Sequence, residues 1–296
     1  MSATVHLVDG SLYVCRAWFA QVPDASDADG QPVHAVHGFA RFLLDLLERA
    51  RPTHLAVAFD ESLTTSFRNA LYPAYKANRP PAPPDLMRQF AGCKEISRAL
   101  GATVLADTQY EADDLIGSAL TTLRAAGFRS VIVSADKDFG QLIGDGDEQW
   151  DPPRNQRWDG AGVKARLGVH PHQVADYLAL TGDAVDNIPG VPGIGAKTAA
   201  ILLHHFGTLD ALLERADEVA FLRTRGAAAA ALRLREHAPL ARLSRTLTGI
   251  ALDAPVPANG EDYRRRRTDD TIDTLLERLR IGPLTRARIR ALTTDA

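Results

Sequence analysis

Cysteine is scarce: the 296-residue chain has two, Cys15 and Cys93. Two thiols give no disulfide framework and no zinc-ligand spacing. Buried apolar filling is their ordinary role. Long apolar runs are also missing, and none approaches the roughly 20 residues needed to span a bilayer. The opening MSATVHLVDG has neither the basic nor the apolar stretch of a secretory signal, so a cytoplasmic, membrane-free protein is expected. Charge of one sign is lacking too, since the net is −3. That total hides a segregation. From residue 221 onward there is no lysine, and fifteen arginines face nine acids, a local surplus of +6 that leaves −9 for the first 220 residues. A basic face beside an acidic pocket is compatible with such a balance, although solvated helix faces are the commoner meaning of surplus arginine.

What is present is an ordinary globular composition, 45% hydrophobic and 24% charged, on a chain long enough for a full core. VHLVD (5–9), THLAVAFD (53–60), ATVLAD (102–107) and SVIVSAD (130–136) read as buried strands. Between them, residues 34–50, 85–101 and 112–127 carry amphipathic helical patterns. This alternation predicts an α/β protein with a doubly wound, mostly parallel sheet and helices on both faces. Ligands bind beyond the carboxyl ends of such strands.

Those ends are acidic. The first strand stops at Asp9, the second at Asp60 and Glu61, and the fourth runs into Asp136 and Asp138. Two apart in an extended segment, the last pair would point the same way. YEADDL (110–115) follows the third strand and adds Glu111, Asp113 and Asp114. A helix start tolerates acid, because its free N–H groups carry partial positive charge. Four separate segments delivering acid to one edge need more, since crowded carboxylates repel. Hard oxygen ligands around open positions suit Mg²⁺ or Mn²⁺. The helix-start and metal readings are compatible.

After about residue 168 strand signals fade and helical segments follow one another. Asp183 and Asp186, three apart, are expected on one face of a helical turn. PGVPGIGAKTAA then gives a glycine-rich hairpin opening onto a helix, with Lys197 beside the new helix start. That is the form of a helix-hairpin-helix that grips a phosphate backbone without reading bases.

With these motifs in order, the chain resembles the flap endonuclease superfamily. Within it the resemblance is to the 5′-nuclease domain of bacterial DNA polymerase I and its free-standing 5′→3′ exonuclease relatives. The matching stretches run to about residue 213: LVDGSLYVCRAW, AVHGFARFLLDLL, VAFDESLTTSFRNALYPAYKANRPPAPPDL, YEADDLIGSAL, VIVSADKDFGQLI and DYLALTGDAVDNIPGVPGIGAKTAAILLHHFGTLDALL. The resemblance implies a PIN-like nuclease domain over 1–168, with a helical arch or clamp near 62–92. A helical region containing the hairpin (H3TH) would follow over 169–296, its last helices packing back.

It also implies two Mg²⁺ (or Mn²⁺) ions. The matching ligands are Asp9, Asp60, Glu111, Asp113 and Asp114 for one, and Asp136, Asp138, Asp183 and Asp186 for the other. Arg16, Arg68, Lys76 and Arg79 match basic residues near the scissile phosphate, Lys76 at the base of the clamp. Gly190, Val191, Gly193, Ile194, Gly195 and Lys197 match the DNA-holding hairpin, which in several relatives also binds K⁺. The implied activity is a structure-specific 5′→3′ exonuclease and 5′-flap endonuclease. It would act as a monomer on DNA 5′ ends and flaps, and on RNA primers, in replication and repair.

One departure is the Phe139–Gly140 pair, where the family carries two bulky residues; Gly140 is expected to loosen that turn without removing a ligand. Residues 23–32 read as a solvated acidic loop, Arg264 to Arg267 as a solvated basic run, and Tyr72 and Tyr75 as packing before base stacking. A DNA-structure binding protein would have lost acids that this chain retains. A PIN-type RNA nuclease would lack the hairpin.

Overall fold

The computed structural model describes residues 3–20, 24–61, 64–266 and 271–294. The first half holds β1 (Thr4–Asp9), α1 (Gly10–Ala20), α2 (His34–Ala50), β2 (His54–Asp60), α3 (Phe67–Leu71), α4 (Pro84–Ala99), β3 (Thr103–Asp107), α5 (Ala112–Ala125), β4 (Arg129–Val133), β5 (Glu148–Asp151), β6 (Gln156–Trp158) and α6 (Gly160–Leu167). The second is helical: α7 (Val174–Thr181), α8 (Ala196–Phe206), α9 (Leu209–Glu214), α10 (Ala227–Glu236), α11 (Ala238–Thr248), α12 (Thr271–Arg278) and α13 (Pro283–Thr294).

The sheet order is β3-β2-β1-β4-β5-β6. All neighbours are parallel except β5 and β6. Because β1 pairs with both β2 and β4, the winding of the chain reverses at β1, the place in such sheets where ligands bind beyond the carboxyl ends. Strand alternation sorts the apolar side chains between two faces. Leu55, Val57 and Phe59 pack with Phe39, Leu43, Leu44 and Leu47 of α2 and Ile96 of α4. Ala56 and Ala58 face the other way, and their small size admits Leu115, Ile116 and Ala119 of α5. Gly10 lets α1 start directly over β2: a Cβ there would lie 2.7 Å from the Phe59 ring and 2.8 Å from the Ala58 carbonyl.

Several local expectations change. Strands β5 and β6, four and three residues long, fall below the length at which a pattern is readable. β4 ends at Val133, so Asp136 and Asp138 do not lie on an extended strand; Asp136 caps a 3₁₀ turn over Lys137–Leu142, and its Oδ1 accepts from the Asp138 amide. Asp183 and Asp186 sit in a tight turn closed by the Asp183–Ile188 bridge, not on a helix. Residues 62–63 lie outside the described ones; of the rest of the 62–92 stretch, α3 and a run of turns occupy 67–79, and α4 is packed against α2. Within 24–32, the loop is not simply solvated. Asp27 is buried, its Oδ1 accepts from the Asp29 and Gln31 amides, and Ala28 N–H donates to the Arg278 carbonyl.

Candidate active site and nucleic-acid interface

Asp9 and Asp60 end adjacent strands and are held by the chain around them. Asp9 Oδ1 accepts from the Leu12 amide at 3.0 Å and Oδ2 from Ser134 Oγ at 2.9 Å. Asp60 Oδ1 accepts from the Ala112 amide at 2.8 Å, tying β2 to the start of α5. Burial, with Asp60 and Asp136 nearby, pushes the Asp9 carboxyl up to about 7. Burial, then Asp9 and Asp136, raises Asp113 well above the usual carboxylate range. Burial, then Asp136, raises Asp138 to about 8, with Asp183 and Asp186 adding to it. Asp136 therefore joins a group around Asp9, Asp60 and Asp113 to a group around Asp138, Asp183 and Asp186.

Cations are built into this edge. Lys76 Nζ lies 2.5 Å from Glu111 Oε1 and 3.8 Å from Asp186 Oδ2. Arg79 pairs with Asp186, and Lys137 Nζ lies 2.5 Å from Asp183 Oδ2 and 3.6 Å from Asp138 Oδ1. Burial opposes the charge on Lys76, but Glu111 and Asp186 outweigh it and hold the ammonium protonated. Burial would raise Glu111, yet Lys76 and Arg68 hold it below its usual value. Among the described residues, no three acid, histidine or cysteine groups close into a metal-ligand cluster.

Two expected roles do not fit the geometry. Asp114 is fully buried, and both its oxygens are taken: Arg68 binds it through two nitrogens at 2.7 and 2.8 Å, while the Glu111 and Ala251 amides donate at 3.0 and 2.8 Å. No lone pair is left directed at an ion. Arg68 is 3% exposed, out of a phosphate's reach; its other bonds go to Glu111 and to the Leu247 and Gly249 carbonyls. The pair is an internal strut joining α3, α5 and the end of α11. Arg16 pairs with buried Asp151 at 3.0 Å rather than with the acid group.

Tyr75, read as packing before base stacking, is buried and donates to Glu111 Oε2 at 2.8 Å, whereas Tyr72 is partly buried beside it. Lys137 was missed, although it stands between two named acids in ADKD. The base of the clamp is docked on the acid turn: Lys76 N–H donates to the Asp186 carbonyl, Asn78 to the Ala184 carbonyl and Asn187 to the Ala74 carbonyl.

The hairpin lies between α7 and α8. Gly190, at φ +64°, passes so close to Gly182 that a Cβ would sit 2.3 Å from the Gly182 nitrogen. Val191 and Ile194 are each 3% exposed and belong to the core, so they seat the hairpin and present no side chain outward. Gly193, Gly195 and Lys197 are exposed at the start of α8. Gly140 is packed beside Val163 and Val174, which accounts for a small residue there. Arg265 and Arg266 donate backbone N–H groups to the Thr53 and Gly101 carbonyls, at the amino ends of β2 and β3. That is the edge opposite the acids; Arg267 lies outside the described residues.

Comparison with known proteins gives a consistent answer. Models of the 5′-3′ exonuclease family match residues 4–168 (N-terminal resolvase-like domain) and 169–271 (C-terminal SAM fold). The chain is 42% identical over 257 residues to a DNA polymerase I of Rhizobium leguminosarum, covering 84% of this chain and 25% of that one. It is 38% identical over 211 residues to a 5′-3′ exonuclease of Aquifex aeolicus, covering 71% and 72%. The chain thus spans about a quarter of the first of these relatives. Among solved structures, T5 5′-exonuclease with bound zinc aligns with a TM-score of 0.67 at 16% identity, over 99% of this chain and 97% of that one. The catalytic core of Rad2 in complex with DNA substrate aligns at 0.65 and 15%, over 98% and 92%. At these identities the structures speak for the fold.

Proposed function

The chain belongs to the 5′-3′ exonuclease family, and from that premise we propose that it is a metal-dependent, structure-specific nuclease that hydrolyses DNA at 5′ ends and 5′ flaps. The observation that carries the reading is the crowding of Asp9, Asp60, Asp113, Asp136, Asp138 and Asp183 at the sheet's carboxyl edge. Three of them, Asp9, Asp113 and Asp138, are raised well above the usual carboxylate range by burial and by neighbouring acids, Asp136 among them in each case. Such crowding is costly unless cations neutralise it.

The donor set fits divalent ions. All the groups are hard oxygens, and the buried Asp138 Oδ1 accepts no hydrogen bond. We assign Asp9, Asp60, Asp113 and Asp136 to one Mg²⁺, with Asp138, Asp183 and Asp186 serving a second; Mn²⁺ is the natural substitute. Ions held there supply an activated water and neutralise charge at the leaving oxygen. The protein's own part is positional. Ser134 and the Leu12 amide fix Asp9, and the Ala112 amide fixes Asp60. Lys76, braced between Glu111 and Asp186, offers a fixed positive charge to the phosphoryl oxygens. Arg79, 34% exposed, offers a second. The hairpin grips the duplex through backbone N–H groups and Lys197. A K⁺ ion there would share carbonyls with Arg233, which already donates to the Gly193 carbonyl at 3.2 Å.

The physiological reading is removal of flaps and RNA primers during replication and repair, by a cytoplasmic monomer. A labelled DNA with a 5′ flap, incubated with Mg²⁺ or EDTA, tests the proposal. Metal-dependent cuts at the junction or stepwise from the 5′ end are expected. Binding without cutting in Mg²⁺ and Mn²⁺ would leave a DNA-structure binding protein.

A further inference from the structure

The two lysines at the acid edge are held differently. Lys76 is 10% exposed at its side chain, and its backbone N–H is tied to the Asp186 carbonyl. It is a fixture. Lys137 opens the 3₁₀ turn after Asp136, and its side chain is 38% exposed. Its ammonium serves Asp183 Oδ2 at 2.5 Å but stands 3.6 Å from Asp138 Oδ1, too far for a hydrogen bond. That Asp138 oxygen is buried and accepts no hydrogen bond. One side-chain cation therefore faces two carboxylates and satisfies only one of them.

We propose that Lys137 is a displaceable internal counter-ion that competes with the second divalent ion for Asp138 and Asp183. This inference rests on the assignment of those acids to a metal. A divalent cation between the two carboxylates would serve both oxygens, and like-charge repulsion would drive the ammonium toward the solvent it already partly reaches. Lys76 has no such exit. The two ions should therefore differ in affinity, the weaker one being set against Lys137. Occupancy of the second site, and with it activity, would then respond to metal concentration in a range that Lys137 determines.

The test is Mn²⁺ binding to the full chain, followed by calorimetry and by electron paramagnetic resonance of free Mn²⁺, for wild type, Lys137→Met and Lys137→Arg. Wild type is expected to take up two ions of unequal affinity. Lys137→Met should tighten the weaker site by up to about fivefold, the scale of a partly exposed ion pair. Lys137→Arg keeps the charge and should stay with wild type. A second readout is thermal: Lys137→Met removes a counter-ion, so its melting temperature in EDTA should fall and its gain on adding Mn²⁺ should exceed that of wild type. If wild type takes up two ions and Lys137→Met leaves the weaker constant unchanged, the role of Lys137 is refuted while the metal assignment stands. If wild type takes up fewer than two, the assignment fails and this inference falls with it.

Discussion

Asp113 and Asp114 are neighbours in sequence, yet their removal should have opposite effects on stability. Asp114 is buried and holds Arg68 through two hydrogen bonds, with the Glu111 and Ala251 amides completing its shell. Asp114→Asn would strip the charge facing a guanidinium that is itself 3% exposed. Breaking such a buried pair from one side costs roughly 3–5 kcal/mol. At roughly 2–4 °C per kcal/mol for chains of about this size, the melting temperature should drop by about 6–20 °C. Asp113 lies instead among Asp9, Asp60 and Asp136, and its carboxyl is raised by burial and by those acids. A folded-state value above the unfolded one means stability that is lost as pH rises through the folded value. Asp113→Asn removes that repulsion, so in EDTA at alkaline pH it should melt at or above wild type while losing metal affinity. Scanning calorimetry of both variants in EDTA decides the matter. If Asp114→Asn melts with wild type, or Asp113→Asn melts below Asp114→Asn, the division between strut and ion-facing acid is wrong.

Four further outcomes are expected. Lys76→Met should lower the rate of flap cutting by roughly 10²–10³-fold, with DNA affinity in a gel-shift assay nearly unchanged; an unchanged rate would place the phosphate elsewhere. Asp9 and Asp138 titrate near 7 and 8 in the folded chain against 3.8 for the free carboxyl. The EDTA-treated protein should therefore lose stability as pH rises through that window, and Mg²⁺ should restore it. Mg²⁺ affinity should weaken between about pH 8 and pH 6, where those protons must be displaced, which calorimetry in buffers of different ionisation heat would register. Lys197→Ala should reduce the slope of log affinity against log salt by about 1 for duplex DNA, and an unchanged slope would remove Lys197 from the backbone contacts.

The sheet and its acidic edge were legible because strand period and terminal aspartates are local properties. Asp9, Asp60 and Asp136 follow strands whose burial is visible from composition alone. Spacing could not tell which acids face an open position. Asp114 and Arg68 look like their neighbours in sequence, and their separate fate depends on the Leu247 and Gly249 carbonyls, 179 and 181 residues from Arg68. Asp183 and Asp186 fitted a helical spacing equally well as a turn, because a separation of three brings side chains together in both. Lys137 carries a readable signal, a cation between two acids in ADKD, but its pairing with Asp183 joins residues 46 apart in the chain. Val191 and Ile194 are apolar residues in a glycine-rich turn, and apolarity there meant burial, not contact.

The family models divide this chain near residue 168, but the apolar packing does not. The cluster on the α5 side of the sheet runs continuously from Val5 to Tyr263, and the one on the α2 side takes in Ile272, Leu276, Leu279 and Ile289 near the other end of the chain. The unit of homology and the unit of apolar packing are therefore different objects. Excising the helical half would strip Phe139 and Leu142 on one face, and Phe39 and Ile96 on the other, of part of their apolar cover, so neither half would keep its packing intact.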